Sequence, residues 1–170
     1  MEYLHTPVRQ TQGFILMKYF LALAVLCCVG FGANAQAQKS TYNKALADSL
    51  GADEYGMKSY VLAILKTGSN TTTDKEKLNQ YFKGHMENIG RLAKEGKLIV
   101  AGPLGKNDKS YRGIFILDVK TVEEAQKLVD TDPAVKAKIF DVELYPWYGS
   151  AALPMYLPAH SKIEKVSTTD

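Results

Sequence analysis

Apolar positions along the chain gather into short blocks with two different periods. Within 58–66 the run Tyr60-Val61-Leu62-Ala63-Ile64-Leu65 is apolar without interruption, which predicts a strand buried on both faces. Thr67-Gly68-Ser69-Asn70-Thr71-Thr72 then has loop chemistry. Thr73-Asp74-Lys75-Glu76 reads as a capping box, so a helix is predicted from Thr73, with Thr73 as the cap and Glu76 reaching back. At about 100° per residue from Leu78, the positions Tyr81, Phe82, Ile89, Leu92 and Ala93 fall within about 60° of one line. Lys77, Gln80, Lys83, Glu87, Arg91 and Lys94 fill the opposite side, and Gly96 is a stop just past the last turn.

Leu98-Ile99-Val100-Ala101 predicts a second strand, ended by Gly102-Pro103. Asn107-Asp108-Lys109 is a turn, and Gly113-Ile114-Phe115-Ile116-Leu117 a third strand within hairpin distance of the second. Thr121-Val122-Glu123-Glu124 is another capping box, opening a helix to about Val129 with Val122, Ala125, Leu128 and Val129 inward. Asp132-Pro133 begins a short helical turn. Positions 139–145 alternate as a fourth strand, which Pro146 is expected to end. The order is strand, helix, strand, strand, helix, strand. That is the α+β, ferredoxin-like βαββαβ pattern: a four-stranded antiparallel sheet with two helices on one face. The other face is too apolar to stand in water, and a second copy of the same sheet is the natural cover, so a homodimer is expected.

Composition alters this picture only at the N-terminus. Of 170 residues, 21 are Lys or Arg and 18 Asp or Glu, for a formal charge of +3. So weak and scattered an excess makes no case for nucleic acid as a partner. Met17-Lys18 precedes an apolar run from Tyr19 to Phe31 and then Ala33-Asn34-Ala35, the pattern of a secretory leader. The run is well short of the roughly 20 residues that cross a bilayer. The expected organisation is an upstream extension over 1–16, a signal peptide over 17–35, and a linker over 36–54 carrying at most a weak helix near 45–50. A domain over 55–149 and a tail over 150–170, packing on the domain or on a partner copy, complete it. The expected location is the periplasm, free of the membrane once the leader is removed. A short membrane anchor is the alternative reading of the same run.

The chain's two cysteines, Cys27 and Cys28, lie in the leader. The rest has no disulfide, no thiol nucleophile and no thiolate metal site. Only His85 and His160 follow the leader, too few for a three-His or HExxH zinc site. His85 falls about 20° from the centre line of the apolar stripe, between Phe82 and Ile89. An imidazole aimed at the sheet needs a partner, at a cost of about 1–3 kcal/mol if it has none. Asp132, just after the second helix, is the candidate. A carboxylate there would fix the ring's tautomer and leave a general acid/base. No Ser or Cys nucleophile accompanies the pair, so covalent acyl transfer is not indicated. Plainer readings stand beside this one. His85 is equally read as a satisfied core histidine, Asp132 as the N-cap of the turn that Pro133 opens, and Gly102-Pro103 as strand termination. Trp147, with Tyr145 and Tyr148, is equally read as cover for an edge or a dimer seam.

The ordered set His85-Met86-Glu87-Asn88-Ile89-Gly90-Arg91-Leu92, Gly96-Lys97-Leu98, Ala101-Gly102-Pro103, Gly113-Ile114-Phe115, Glu124-Ala125, Asp132-Pro133 and Pro146-Trp147 resembles the YCII-related domain family over about 58–148. The resemblance implies a dimeric α/β-barrel made by two ferredoxin-like sheets. It also implies an active-site His on the first helix and an Asp ahead of Pro after the second, here His85 and Asp132. Tyr60, Gly102, Pro103 and Trp147 are the positions expected to contact substrate. Relatives in the wider superfamily include cofactor-free isomerases, lyases and oxygenases acting on small cyclic compounds. The expectation is therefore a secreted, cofactor-independent lyase, isomerase or hydrolase acting on a small molecule through His-Asp acid/base chemistry. The alternative is a non-catalytic small-molecule-binding module of the cell envelope. No cofactor and no metal are expected; since related barrels bind haem, His85 and His160 are the imidazoles available should haem be a ligand here.

Overall fold

A computed structural model describes residues 41–166. The extension, the leader and the first part of the linker lie outside those residues. In chain order the elements are α1 (Lys44–Leu50), β1 (Met57–Thr67), α2 (Lys75–Lys94), β2 (Leu98–Pro103), β3 (Tyr111–Leu117), α3 (Val122–Val129), α4 (Pro133–Lys136) and β4 (Phe140–Ser150). A 3-10 turn (Leu153–Tyr156) and α5 (Leu157–Ile163) close the series. The four strands form one antiparallel sheet in the order β2-β3-β1-β4. That is the ferredoxin-like arrangement the pattern predicts.

Val61, Ala63 and Leu65 of β1, Phe115 and Leu117 of β3, and Leu98 of β2 point to one face. There they share a single buried cluster with Leu92 of α2, Ala125 and Val129 of α3, and Ala134 and Val135 of α4. Both long helices therefore cover the same side. Side chains alternate along a strand, so Leu62 and Ile64 of β1 and Ile114 and Ile116 of β3 lie on the opposite side, where they are half-buried. Toward β4 the Lys66–Glu143 ion pair at 2.7 Å borders this apolar patch.

Local chemistry moves several boundaries. The cap of α2 is Asp74, one residue later than expected. Its carboxylate accepts from the amides of Glu76 and Lys77, whereas the Thr72 hydroxyl accepts from Asp74. A charged acceptor at the helix start outcompetes the adjacent hydroxyl. The other end of α2 behaves as predicted. Gly96 takes φ +67°, its amide bonding Ala93 and that of Lys97 bonding Leu92 in a Schellman motif. On α3, Thr121 accepts from Glu124, and the Glu124 carboxylate reaches back to the amide of Lys120. β4 does not end at Pro146 but continues to Ser150, with Pro146 opposite Val61. β4 pairs only with β1, so a proline facing away from that partner loses no ladder bond. The segment expected as a linker contains α1, capped by Asn43 and closed by Gly51 at φ +68°.

Candidate functional site

The centre of the site is set by the amphipathic phase of α2. His85 lies on its inward face, 8% exposed, with its ring against Phe115 (5.9 Å between centroids) and Phe140 (5.1 Å). Asp132 lies in the bend between α3 and α4 and is 1% exposed. Its two oxygens are used differently. Oδ1 caps α4, accepting from the amides of Ala134 at 2.8 Å and Val135 at 3.4 Å. Oδ2 lies 2.6 Å from His85 Nδ1. The capping reading and the dyad reading of Asp132 are thus both realised, one per oxygen.

A carboxylate only accepts, so His85 Nδ1 carries a proton, and in the neutral ring Nε2 carries the lone pair. No buried side-chain nitrogen or oxygen among the described residues lacks a hydrogen-bond partner. His85 makes its one hydrogen bond through Nδ1, so Nε2 is the part of the ring that reaches open space. Asn88, one turn further along α2 and also buried, places Nδ2 at a long 3.5 Å from Asp132 Oδ2. Its own Oδ1 accepts from Arg91 at 2.8 Å and Thr131 at 2.9 Å. Side chains from both elements thereby brace the pair.

Gly84 makes this approach possible. A Cβ on it would stand 2.8 Å from Cγ of Pro133. Only a bare helix surface lets α2 come this close to the start of α4, which brings the neighbours His85 and Asp132 into contact.

His85 opens on a cavity of about 590 Å³ between α2 and the sheet, a size suited to a small ligand. Phe82, Met86 and Ile89 of α2 form one wall. Leu65, Phe115 and Phe140 form the apolar floor, and Ala101, Gly102, Pro103 and Gly113 one side. Arg112 and His160 also line it. The structure brings His85, Gly102 and Pro103 together around this space, with Asp132 held behind the ring.

Tyr60 and Trp147 are elsewhere. They face each other across β1 and β4 on the opposite side of the sheet, ring centroids 5.7 Å apart. The Tyr60 hydroxyl donates to the carbonyl of Ser150 at 2.9 Å. Burial, with Asp118 adding to it, pushes the Tyr60 phenol up to about 12. Their expected contact with a substrate in this cavity is corrected by strand parity: Val61, Ala63 and Leu65 point inward, so Tyr60 points out.

Sequence reasoning missed Phe82, Arg112, Phe140 and His160 as lining residues. Phe82 was visible as an apolar turn neighbour of His85, but Phe140, on the fourth strand, meets it only in the fold. Arg112 was hidden by a bulge: Leu65 pairs with Gly113 but Lys66 with Tyr111, which leaves Arg112 as the extra residue. A bulge re-aims a side chain, and here Arg112 lines the cavity beside the bare backbone of Gly113. His160 arrives on the tail. The Tyr156 hydroxyl donates to the carbonyl of Ile99, and the Tyr156 ring lies 6.5 Å from that of His160. His160 is exposed, as its Pro-flanked context suggests, yet borders the cavity mouth. Among the described residues no three His, Cys, Asp or Glu side chains stand together as a metal site.

The family model described as YCII-related domain matches residues 59–148. No curated protein matches the chain. A solved structure similar to part of it is that of a 5-chloro-2-hydroxyhydroquinone dehydrochlorinase from Burkholderia phenoliruptrix AC1100, in complex with 2,5-dihydroxybenzoquinone. It is 22% identical, with a TM-score of 0.37, over 51% of this chain and 92% of that one.

Proposed function

This chain belongs to the YCII-related domain family, and from that premise we propose that it is a cofactor-independent enzyme, a lyase, isomerase or hydrolase, that acts on a small molecule by proton transfer through His85. One observation carries the reading: Asp132 holds Nδ1 of an otherwise apolar-packed imidazole at 2.6 Å, which leaves Nε2 free beside an open cavity. In that arrangement Nε2 takes a proton from a C–H or O–H of the bound molecule. Asp132 stabilises the imidazolium that forms and holds its orientation, and the same ring returns the proton elsewhere on the molecule. The apolar walls limit bulk water, admitting at most the one molecule that hydrolysis would consume, and strengthen the Asp–His attraction. A positioned acid/base of this kind contributes about 10²–10⁴ in rate.

The test is conversion of a small-molecule library, followed by mass spectrometry, with the wild-type chain and His85→Ala compared. The reading expects turnover that falls by about 10²–10⁴ in the variant. A folded His85→Ala protein with full turnover refutes it. A second reading, a binding module without turnover, is favoured by the structural duty of Asp132, whose Oδ1 caps α4 whether or not chemistry occurs. Stable, unmodified ligand bound to the wild-type chain supports that alternative.

The proposal extends to assembly and location. The half-buried patch of Leu62, Ile64, Ile114 and Ile116, bordered by the Lys66–Glu143 pair, has the apolar centre and polar rim of an interface, and a second copy of the same sheet is its proposed cover. The leader over 17–35 is proposed to send the protein to the periplasm, and a mature N-terminus at Gln36 is the readout.

A further inference from the structure

We propose that Arg112 and His160 form an anion-recognising end of the His85 cavity, and that its ligand is a small planar molecule carrying one carboxylate. The inference rests on the reading of this cavity as the functional site and adds the class of molecule that fills it. The cavity has two kinds of wall. Phe82, Phe115 and Phe140 offer flat apolar surfaces that suit a ring or a conjugated body. Against them stand His85, whose Nδ1 is already committed to Asp132, and the two further nitrogen-bearing side chains Arg112 and His160.

Three observations set Arg112 apart from an ordinary surface arginine. It is the extra residue of the bulge that interrupts the β1–β3 register, so the backbone departs from regular pairing where its side chain turns toward the cavity. Its guanidinium has no acid paired with it among the described residues, whereas Arg91, also at the protein surface, is bound to Glu95, Asn88 and Thr131. Finally, Arg112 is exposed and borders a cavity whose lining contains no carboxylate, so no counter-charge there competes for its guanidinium. A guanidinium so placed matches a carboxylate through two parallel hydrogen bonds.

His160 is brought to the same mouth from outside the family-matched segment. After β4 the tail makes its 3-10 turn, and Tyr156 fixes it to the carbonyl of Ile99 at the sheet edge. One helical turn later His160 borders the cavity. In either neutral tautomer its ring presents one N–H, enough to hold a carboxylate oxygen. With its carboxylate at this end, a flat ligand lays its body along the phenylalanines and its reacting centre toward His85 Nε2.

The test uses benzoate and its uncharged isostere benzamide as probes, with affinity measured by titration and contact with the cavity read from His85 ring resonances. The proposal expects both probes to shift those resonances and benzoate to bind at least about 10-fold more tightly. Arg112→Gln and His160→Ala should each remove most of that preference, weakening benzoate by far more than benzamide. Added salt should weaken benzoate alone. Equal affinity for the two probes, or a preference that survives in both variants, overturns the anion assignment while the cavity stands as a ligand site. If neither probe reaches His85, the cavity reading fails, and this assignment fails with it.

Discussion

Substitution of Asp132 by alanine removes both duties of its carboxylate, whereas asparagine keeps both contacts and removes only the charge. Alanine removes the cap on the amides of Ala134 and Val135, worth about 0.5–2 kcal/mol. It also leaves Nδ1 of a buried ring without an acceptor, at about 1–3 kcal/mol. The two losses share one side chain and do not add fully, so a net destabilisation of about 2–4 kcal/mol is expected. Asparagine keeps an oxygen for the cap and turns an amide N–H₂ toward His85, which then accepts at Nδ1 and carries its proton on Nε2. The buried contact survives without its charge, at a loss of about 1 kcal/mol. Urea unfolding at one fixed protein concentration, followed by fluorescence of Trp147, the chain's single tryptophan, measures both. The dyad account requires the alanine variant to be the less stable by more than 1 kcal/mol, with unchanged denaturant slopes. Turnover should be lost in the stable asparagine variant as well, because its Nε2 no longer accepts a proton. Equal stabilities would mean that neither the cap nor the ring contact stabilises the fold, and the reasoning would fail.

Further outcomes follow from other contacts. The folded-state pKa of Tyr60 lies at about 12, above its usual 10. The Tyr60 contribution to stability should therefore be intact below pH 10 and fall by about 2 kcal/mol as pH rises toward 12; Tyr60→Phe should show a smaller fall, the remainder coming from the other phenols held up, Tyr145, Tyr148 and Tyr156. A flat stability curve from pH 10 to 12 in the wild-type chain would contradict the placement of Tyr60. Gly84→Ala drives a methyl into Pro133; after the helix-propensity gain it should cost about 1–2 kcal/mol and weaken the His85–Asp132 contact, and a more stable variant with an intact contact would refute the close-approach argument. Ile116→Glu, in the apolar patch opposite the helices, should convert a dimer to a monomer by sedimentation without loss of helix signal. A wild-type chain that is monomeric at micromolar concentration contradicts the proposed cover.

Much of the site was legible because it depends on periodicity. The phase of α2 puts His85 inward whatever its partner, and Asp132-Pro133 announces a bend after the second helix in a fold whose helices share one face. What the sequence hid depends on competition between neighbours or on irregular backbone. Thr73 and Asp74 are both capping residues, and the charged one prevailed. Pro146 reads as a terminator until the sheet order shows its strand lies at an edge. The unbroken apolar run around Tyr60 carries no parity, and Trp147 lies past a proline expected to end its strand; only register shows that both face away from the cavity. Arg112 reaches it through a bulge of one residue, and His160 through a tail that the Tyr156 hydroxyl ties to the carbonyl of Ile99.

The central claim concerns which nitrogen of His85 is free, and long-range ¹H–¹⁵N correlation of the ring in the wild-type chain reads it without any substrate. At a pH where the ring is neutral, the account predicts a protonated Nδ1 and an unprotonated Nε2, with the pattern reversed in Asp132→Asn. A wild-type ring that carries its proton on Nε2, or exchanges freely between the two forms, would contradict it.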